Sequence, residues 1–247
     1  MKEEVSRVVS VICVYNKKNV LEEQLLRGIS LQNADYELVL VDNSRNEFSS
    51  AAKALNYGAQ KSKGDIFVFC HQDILFEESD SLQRIEKTIK RFDGNVVVGA
   101  AGRDEEDVVV TNITHGDQRE YAGSKRVEDY ASVQVLDEVL LACSREVFEQ
   151  IRFDEVSCDD WHFYGIEFCL SASTKGIPSV VIPFKMHHFS QGKLSVGYFQ
   201  SLLKVAKKHR KDHKIIRCTM STFNTNLMGT YYYVLKHMMS LKLKGQI

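Results

Sequence analysis

The sequence predicts an α/β domain built on a mostly parallel sheet. Three observations carry the prediction. Short apolar runs rich in Val and Ile recur at residues 7–15, 36–41, 65–70 and 96–101. Helical patterns separate them, and polar residues close the first three. Strands buried on both faces read as continuous apolar runs, and strand–helix–strand alternation gives right-handed crossovers.

Residues 7–15 (RVVSVICVY) form the first expected strand, closed by Asn16. Residues 20–29 place apolar side chains at 21, 25, 26 and 29 with Glu22 and Glu23 outside, a helical spacing. Residues 36–41 (YELVLV) form the second strand, which ends in Asp42, Asn43 and Ser44. The Ala-rich stretch 48–60 is helical. Residues 65–70 (DIFVFC) form the third strand and end in His71, Gln72 and Asp73. A helix follows over 79–92, with Ser79 or Ser81 as N-cap, then a fourth strand over 96–101 (VVVGAA).

The second half is less regular. A strand is expected over 108–113 and a polar loop over 114–130. The mostly apolar run 132–142 passes through Asp137 and Glu138. A helix over 144–151 leads to an acidic turn holding Asp159 and Asp160, a helix over 161–174 and a strand over 179–183. Two basic helical regions, 194–216 and 226–244, close the chain. In parallel sheets ligands bind beyond the carboxyl ends of the strands. Here those ends carry Asn16, the Asp42-Asn43 pair and the His71-Gln72-Asp73 triplet.

Composition limits the function classes. The chain has 247 residues, 44% hydrophobic and 26% charged, with only two Pro. That is ordinary globular composition and excludes a disordered chain, a collagen or a coiled-coil rod. No apolar run approaches a membrane span, and the start, Met1-Lys2-Glu3-Glu4, lacks the apolar stretch of a signal peptide. The six cysteines are scattered, without a Cys-x-x-Cys pair. A reducing cytoplasm fits better than a disulfide framework. Gly-x-Gly-x-x-Gly after the first strand, a Walker loop and a Gly-x-Ser-x-Gly elbow are all absent, which argues against a Rossmann dehydrogenase, a P-loop NTPase and a serine hydrolase.

Residues 9–16 (VSVICVYN), 38–44 (LVLVDNS), 54–59 (ALNYGA) and 63–73 (KGDIFVFCHQD) follow in order. Together they resemble the nucleotide-binding half of a GT-A glycosyltransferase, in particular the family 2-like enzymes. Residues 135–148 (VLDEVLLACSREVF), Phe153-Asp154-Glu155, 161–170 (WHFYGIEFCL) and 187–192 (HHFSQG) resemble later segments of that family, in a branch with Q-D in place of the D-x-D metal motif. The resemblance covers roughly residues 7–192. It implies a GT-A domain over 1–192, with a nucleotide-binding half (1–105) and an acceptor and catalytic half (106–192), and leaves a basic helical extension over 193–247.

The resemblance also implies roles. Tyr15 and Asp42 would contact the nucleoside. Asn56, Lys63 and Gln72 would lie along the donor-binding segment, and Asp137 near the donor sugar or acceptor. Asp73 would hold Mn²⁺ or Mg²⁺ on the diphosphate, with His188 or its neighbour His187 as a ligand from the far end of the core. His71 stands where the family carries its first acid and is a further candidate ligand. Oxygen ligands with imidazole suit these ions better than a structural zinc. An inverting transferase also needs a general base for the acceptor hydroxyl, and the candidates are Asp160, Glu167 and Asp159. An ungapped match over residues 169–172 puts the base at Gly165, which has no side chain to act; a gapped match puts it near Glu167. The same acids at 159 and 160 would suit the start of a helix.

The implied activity is transfer of a sugar from a nucleotide diphosphate sugar to a saccharide, protein or lipid-linked acceptor. The alternative is a nucleotide-sugar-binding or scaffolding subunit without catalysis. Residues 189–247 hold eleven Lys or Arg against one acid, Asp212, a net of +10, while the other 188 residues carry 21 against 32 acids, a net of −11. A basic segment on an acidic body suggests an anionic contact, either a membrane surface or a protein partner. No nucleic-acid motif accompanies the charge. The expected location is the cytoplasm, with peripheral attachment at the inner face of the membrane.

Overall fold

A computed structural model describes residues 8–190, 195–243 and 245. β1 (Val9–Tyr15) leads into one helical stretch made of α1 (Lys18–Val20), a π-helical segment (Leu21–Leu26) and α2 (Arg27–Ile29). There follow β2 (Tyr36–Asp42), α3 (Ala51–Lys61), β3 (Ile66–Cys70), β4 (Ile74–Phe76), α4 (Ser81–Arg91) and β5 (Val97–Gly99). The second half adds β6 (Ala101–Arg103), β7 (Val109–Thr111), β8 (Thr114–His115), β9 (Glu120–Tyr121), β10 (Ala131–Val133), β11 (Val135–Leu136) and β12 (Leu140–Ser144). Then come α5 (Arg145–Ile151), α6 (Tyr164–Ser173), β13 (Ser179–Val181), β14 (Met186–His188), α7 (Val196–His209), β15 (Ile215–Arg217), β16 (Thr222–Asn224) and α8 (Leu227–Leu243).

The central sheet has the order β10-β13-β5-β12-β3-β1-β2. It is mixed. β2, β1, β3, β5 and β13 point one way, whereas β12 and β10 run against their neighbours. The two reversed strands come from the irregular second half. There the expected single run 132–142 breaks into β10, β11 and β12, with Asp137 and Glu138 in the gap before β12.

Side-chain alternation explains the apolar runs. Val9, Val11 and Cys13 of β1 pack into a core with Leu25, Ile29 and Ile85 on one face of the sheet, and Ile12 packs with Leu55 and Phe148 on the other. In β3, Ile66, Val68 and Cys70 face the first core and Phe67 and Phe69 the second. Both faces are covered, so neither strand alternates with polar residues. The second core also takes in Phe199, Leu202, Val205, Ile216, Phe223 and Val234.

Three helices begin as their sequences indicate. Ser50, Ser144 and Ser195 each accept a backbone N–H from the residue three positions on. The cap before α4 differs from expectation. It is Asp80 rather than Ser79 or Ser81, and its side chain makes no capping bond. The helix expected from Trp161 starts only at Tyr164, because Phe163 adopts a left-handed backbone (φ 69°). The basic region expected to be helical to 216 ends its helix at His209 and turns into the β15–β16 hairpin. Among the described residues, no helix is long and apolar enough to cross a membrane.

Candidate metal and donor site

The parallel register aligns the ends of the strands. Tyr15 lies opposite Asp42, and Cys13 opposite Cys70. Asn16, Asn43 and His71 therefore emerge at one edge. A second, smaller sheet brings in the far end of the core. β14 pairs antiparallel with β4, setting His188 opposite Ile74, and the N–H of Phe189 donates to the carbonyl of Asp73 (3.0 Å). One strand pairing thus joins residues 115 positions apart in sequence.

The result is a cluster of His71, Asp73 and His188, whose ligand atoms all lie within 4.8 Å of one another. His188 Nε2 is 3.5 Å from Asp73 Oδ1, and His71 Nδ1 is 3.9 Å from the same oxygen. In an octahedral shell of radius about 2.1 Å, neighbouring ligands stand about 3 Å apart and opposite ones about 4 Å. The observed spacings are close to that range. Burial and the adjacent His188 push the His71 imidazole below its ordinary pKa, which favours the neutral form a metal needs. Burial alone would raise the Asp73 carboxyl, but the His188 hydrogen bond and both imidazoles hold it far below the usual range.

The tautomer of His71 follows from its other neighbour. Tyr164 Oη donates its proton to the carbonyl of Glu138 (3.2 Å) and lies 3.2 Å from His71 Nε2. With that proton engaged, Nε2–H donates to the phenol oxygen, and Nδ1 keeps its lone pair toward Asp73. His187 points elsewhere. Neighbouring residues of a strand face opposite ways, and His187 is buried with Nδ1 2.9 Å from Thr114 Oγ1.

Two cavities meet at this cluster. The first, about 340 Å³, is lined by Tyr15, Asn16, Asn43, Asn46, Gln72 and Asp73 among others. The second, about 490 Å³, contains Asp137, Glu138, His162, His188 and Thr219 in its wall. His71 and Trp161 line both. Gln72 shapes the first cavity. Its Oε1 accepts the N–H groups of Asn16 (3.2 Å) and Lys17 (3.0 Å), and its Nε2 donates to Asn16 Oδ1 (2.8 Å). Asp42 lies beside the same edge in solvent, where the Ser44 N–H holds its carboxyl below the ordinary value.

Other expected site residues lie outside both cavities. Asn56 is buried on α3 and braces residues 153–155. Its amide donates to the carbonyl of Phe153 and to Glu155, and its oxygen accepts the N–H of Phe153. Lys63 lies at the amino end of β3, the opposite edge of the sheet, where its N–H donates to Glu37. Asp159 pairs with Lys204 of α7. The Asp160 carboxylate lies against Gly197 in the first turn of α7. Glu167 is buried between Lys208, His209 and Ser171.

The sequence profile described as "Glycosyltransferase like family" matches residues 10–216. The chain belongs to the Glycosyltransferase like family. A protein of Fuscovulum blasticum described as ATP synthase subunits region ORF 6 is 24% identical over 180 residues, 70% of each chain. Among solved structures, the mannosyltransferase PcManGT of Pyrobaculum calidifontis, in complex with GDP-Man and Mn²⁺, matches with a TM-score of 0.56 and 18% identity, over 84% of this chain and 64% of its own. GalNAc-T7, with UDP, GalNAc and Mn²⁺, matches with a TM-score of 0.61 and 14% identity, over 83% of this chain and 48% of its own. This chain therefore spans less than two thirds of either structure. At these identities the likenesses establish a GT-A-like fold.

In this glycosyltransferase-like chain, sequence reasoning passed over Tyr164, Thr219 and Glu138 as site residues. Tyr164 and Thr219 carried no signal, being a common aromatic and a common hydroxyl. Glu138 did carry one. Two adjacent acids inside an apolar run are rare unless the site uses them, because burying a carboxylate is costly.

Proposed function

We propose that this chain transfers a sugar from a nucleoside diphosphate sugar to an acceptor hydroxyl with inversion. Mn²⁺ or Mg²⁺ would be held by His71, Asp73 and His188. The observation that carries the reading is the His-Asp-His cluster at the junction of two cavities. The first cavity has the polar rim a nucleoside needs, with Tyr15 in its wall and Asp42 outside the lining but opposite Tyr15, and the second has room for the sugar and acceptor. Bound at the cluster, the ion would neutralise charge on the departing diphosphate. Gln72 fixes the Asn16–Lys17 loop, Tyr164 fixes the His71 tautomer, and Trp161 offers a ring at the passage between the cavities. The sequence His71-Gln72-Asp73 supports placing the chain in a branch with Gln-Asp in place of the two-acid motif.

The alternative, a donor-binding subunit without catalysis, draws on one observation: Asp159, Asp160 and Glu167 line neither cavity. Metal-dependent hydrolysis of the donor separates the two readings. The test of the donor site is a thermal-shift panel of UDP, GDP, CDP, dTDP and ADP and their glucose or mannose conjugates, with and without MnCl₂. A Mn²⁺-dependent rise in Tm for one nucleobase, lost in Asp73→Ala, supports the reading, since ligand binding to the native state raises stability by mass action. No rise with any nucleotide overturns it.

We extend the reading to a cytoplasmic enzyme acting on saccharide, protein or lipid-linked acceptors at an anionic membrane surface. Support comes from α8, which exposes Tyr231, Tyr232, Leu235 and Met239 alongside Lys236 and Lys242. The six cysteines, all buried and free, fit a reducing compartment.

A further inference from the structure

The second cavity has two carboxylates in its wall among the described residues, Asp137 and Glu138. Each oxygen of Asp137 already has a donor. One oxygen accepts the Val139 N–H at 3.1 Å, and the other accepts the Thr219 hydroxyl. Glu138 is placed differently. Its Oε1 accepts the Gly165 N–H (3.1 Å) in the first turn of α6, and among the described residues no side chain bonds to its carboxylate. It is held by backbone N–H groups at the start of α6, those of Phe163, Tyr164 and Gly165, and no side-chain donor among the described residues competes for the lone pair that would take a proton from a molecule in the cavity.

Gly165 is what makes this placement feasible. A Cβ built there would stand 2.6 Å from Leu141 Cδ1 and 3.0 Å from Glu138 Cγ. A side chain at 165 would therefore press on both, and Leu141 and Glu138 would have to move to admit it. The ungapped alignment puts the base of the resembled family at this glycine. Here a carboxylate from the segment before β12 fills the space that a helix-borne side chain would take. Its backbone is tied to the metal cluster by one hydroxyl, since Tyr164 bridges the carbonyl of Glu138 and the ring of His71. Burial, followed by the charge of Asp137, lifts the Glu138 carboxyl to about 8 despite the opposing Gly165 N–H. That basicity suits proton abstraction near neutral pH.

Resting on the transferase reading above, we propose that Glu138 is the general base of sugar transfer. As the acceptor oxygen forms its bond to the anomeric carbon, the hydroxyl proton passes to the Glu138 carboxylate. The bond from that carbon to the diphosphate oxygen breaks, and the nucleoside diphosphate departs with the electron pair. Configuration inverts, and the base of the reaction comes from the strand side of the cavity.

The test compares the full chain with Glu138→Gln, which keeps shape and hydrogen-bond capacity but cannot take the proton. Binding of UDP and GDP is measured by calorimetry with MnCl₂. Release of nucleoside diphosphate to water is measured from UDP-glucose, UDP-N-acetylglucosamine and GDP-mannose. The expected result is unchanged nucleotide affinity with turnover lowered about 100-fold or more, the usual contribution of a general base. Sodium azide, a nucleophile with no proton to lose, is expected to restore donor consumption in Glu138→Gln. Turnover within tenfold of wild type overturns the proposal, as does loss of metal-dependent binding in the variant or a wild type that binds but releases nothing. A wild type that binds none of UDP, GDP, CDP, dTDP and ADP with MnCl₂ overturns the transferase reading itself.

Discussion

At the scale of single residues, Glu138 makes the clearest statement about pH. Its folded carboxyl titrates near 8, well above its ordinary value. The folded state therefore holds a proton that the unfolded state has released, and stability falls as pH rises from about 4.5 to about 8. Glu138→Gln removes this effect. The variant is expected to melt above wild type at pH 8.5, with the gain vanishing below about pH 4, as read by calorimetric Tm. Asp137 faces the same cavity and its charge raises the Glu138 carboxyl, so Asp137→Asn is expected to lower the apparent Glu138 pKa and shrink the gain. Such a cost at a carboxylate is expected where function selects the residue. The His71, Asp73 and His188 cluster was partly legible in the sequence. Asp73 stood out at a strand end, and His188 came from the family resemblance. Choosing between His187 and His188 needed the register of β14 on β4, which no local pattern encodes. Asn56 and Lys63 show the limit of carrying roles over by motif: one braces residues 153–155, and the other stands at the far edge of the sheet.

At the scale of elements, close approach decides what is tolerated. The helical stretch 18–29 lies against β4 so tightly that a Cβ at Gly28 would stand 2.5 Å from the backbone N of Phe76. Backbone cannot move as a side-chain tip can. Gly28→Ala is expected to cost about 1–3 kcal/mol in urea unfolding, the usual range for overpacking, and to displace β4, which pairs with the His188 strand. The α6–α7 contact makes an electrostatic prediction. Burial would raise the Glu167 carboxyl, but hydrogen bonds from His209, Lys208 and Ser171 hold it below its ordinary value. A depressed carboxyl stabilises the fold above its unfolded pKa, and that stability is lost as pH falls through the folded one. Lys208→Met is expected to lower stability at pH 7 by about 1–3 kcal/mol, because Glu167 loses a charged donor, and to flatten the decline of Tm below pH 4.5. The strands and helices of the first half were legible because their apolar runs are local, although the cap before α4 fell on Asp80 rather than Ser79 or Ser81. The reversal of β12 was not, since direction within a sheet depends on which strand a segment meets. Nor was the late start of α6, which turns on the left-handed backbone of Phe163.

At the scale of the whole molecule, the charge asymmetry has an internal part and an external part. The net +10 of residues 189–247 suggested an anionic partner. Some of that charge faces the chain's own acidic body: Lys204 pairs with Asp159, and Lys208 with Asp154 and Glu167. The same helix buries Phe199, Leu202 and Val205 in the core. Lys207, Arg210, Lys211, Lys214, Lys236 and Lys242 remain exposed, and these are the charges able to meet an anionic surface. The attraction such residues feel is long-ranged and screened by salt, whereas the internal pairs are short, and those of Lys208 end on partly or fully buried carboxylates. The two parts therefore separate experimentally. The full chain is expected to co-sediment with phosphatidylglycerol vesicles at low ionic strength, to be released by 0.5 M salt, which leaves a Debye length of only about 4 Å, and to ignore phosphatidylcholine vesicles. Replacing Lys207, Arg210, Lys211 and Lys214 together by Gln is expected to abolish sedimentation without lowering Tm, because none of the four carries an internal ion pair among the described residues. Replacing Lys204 and Lys208 is expected to do the reverse. Sedimentation that persists in the fourfold variant would instead assign the contact to the aromatic and aliphatic face of α8.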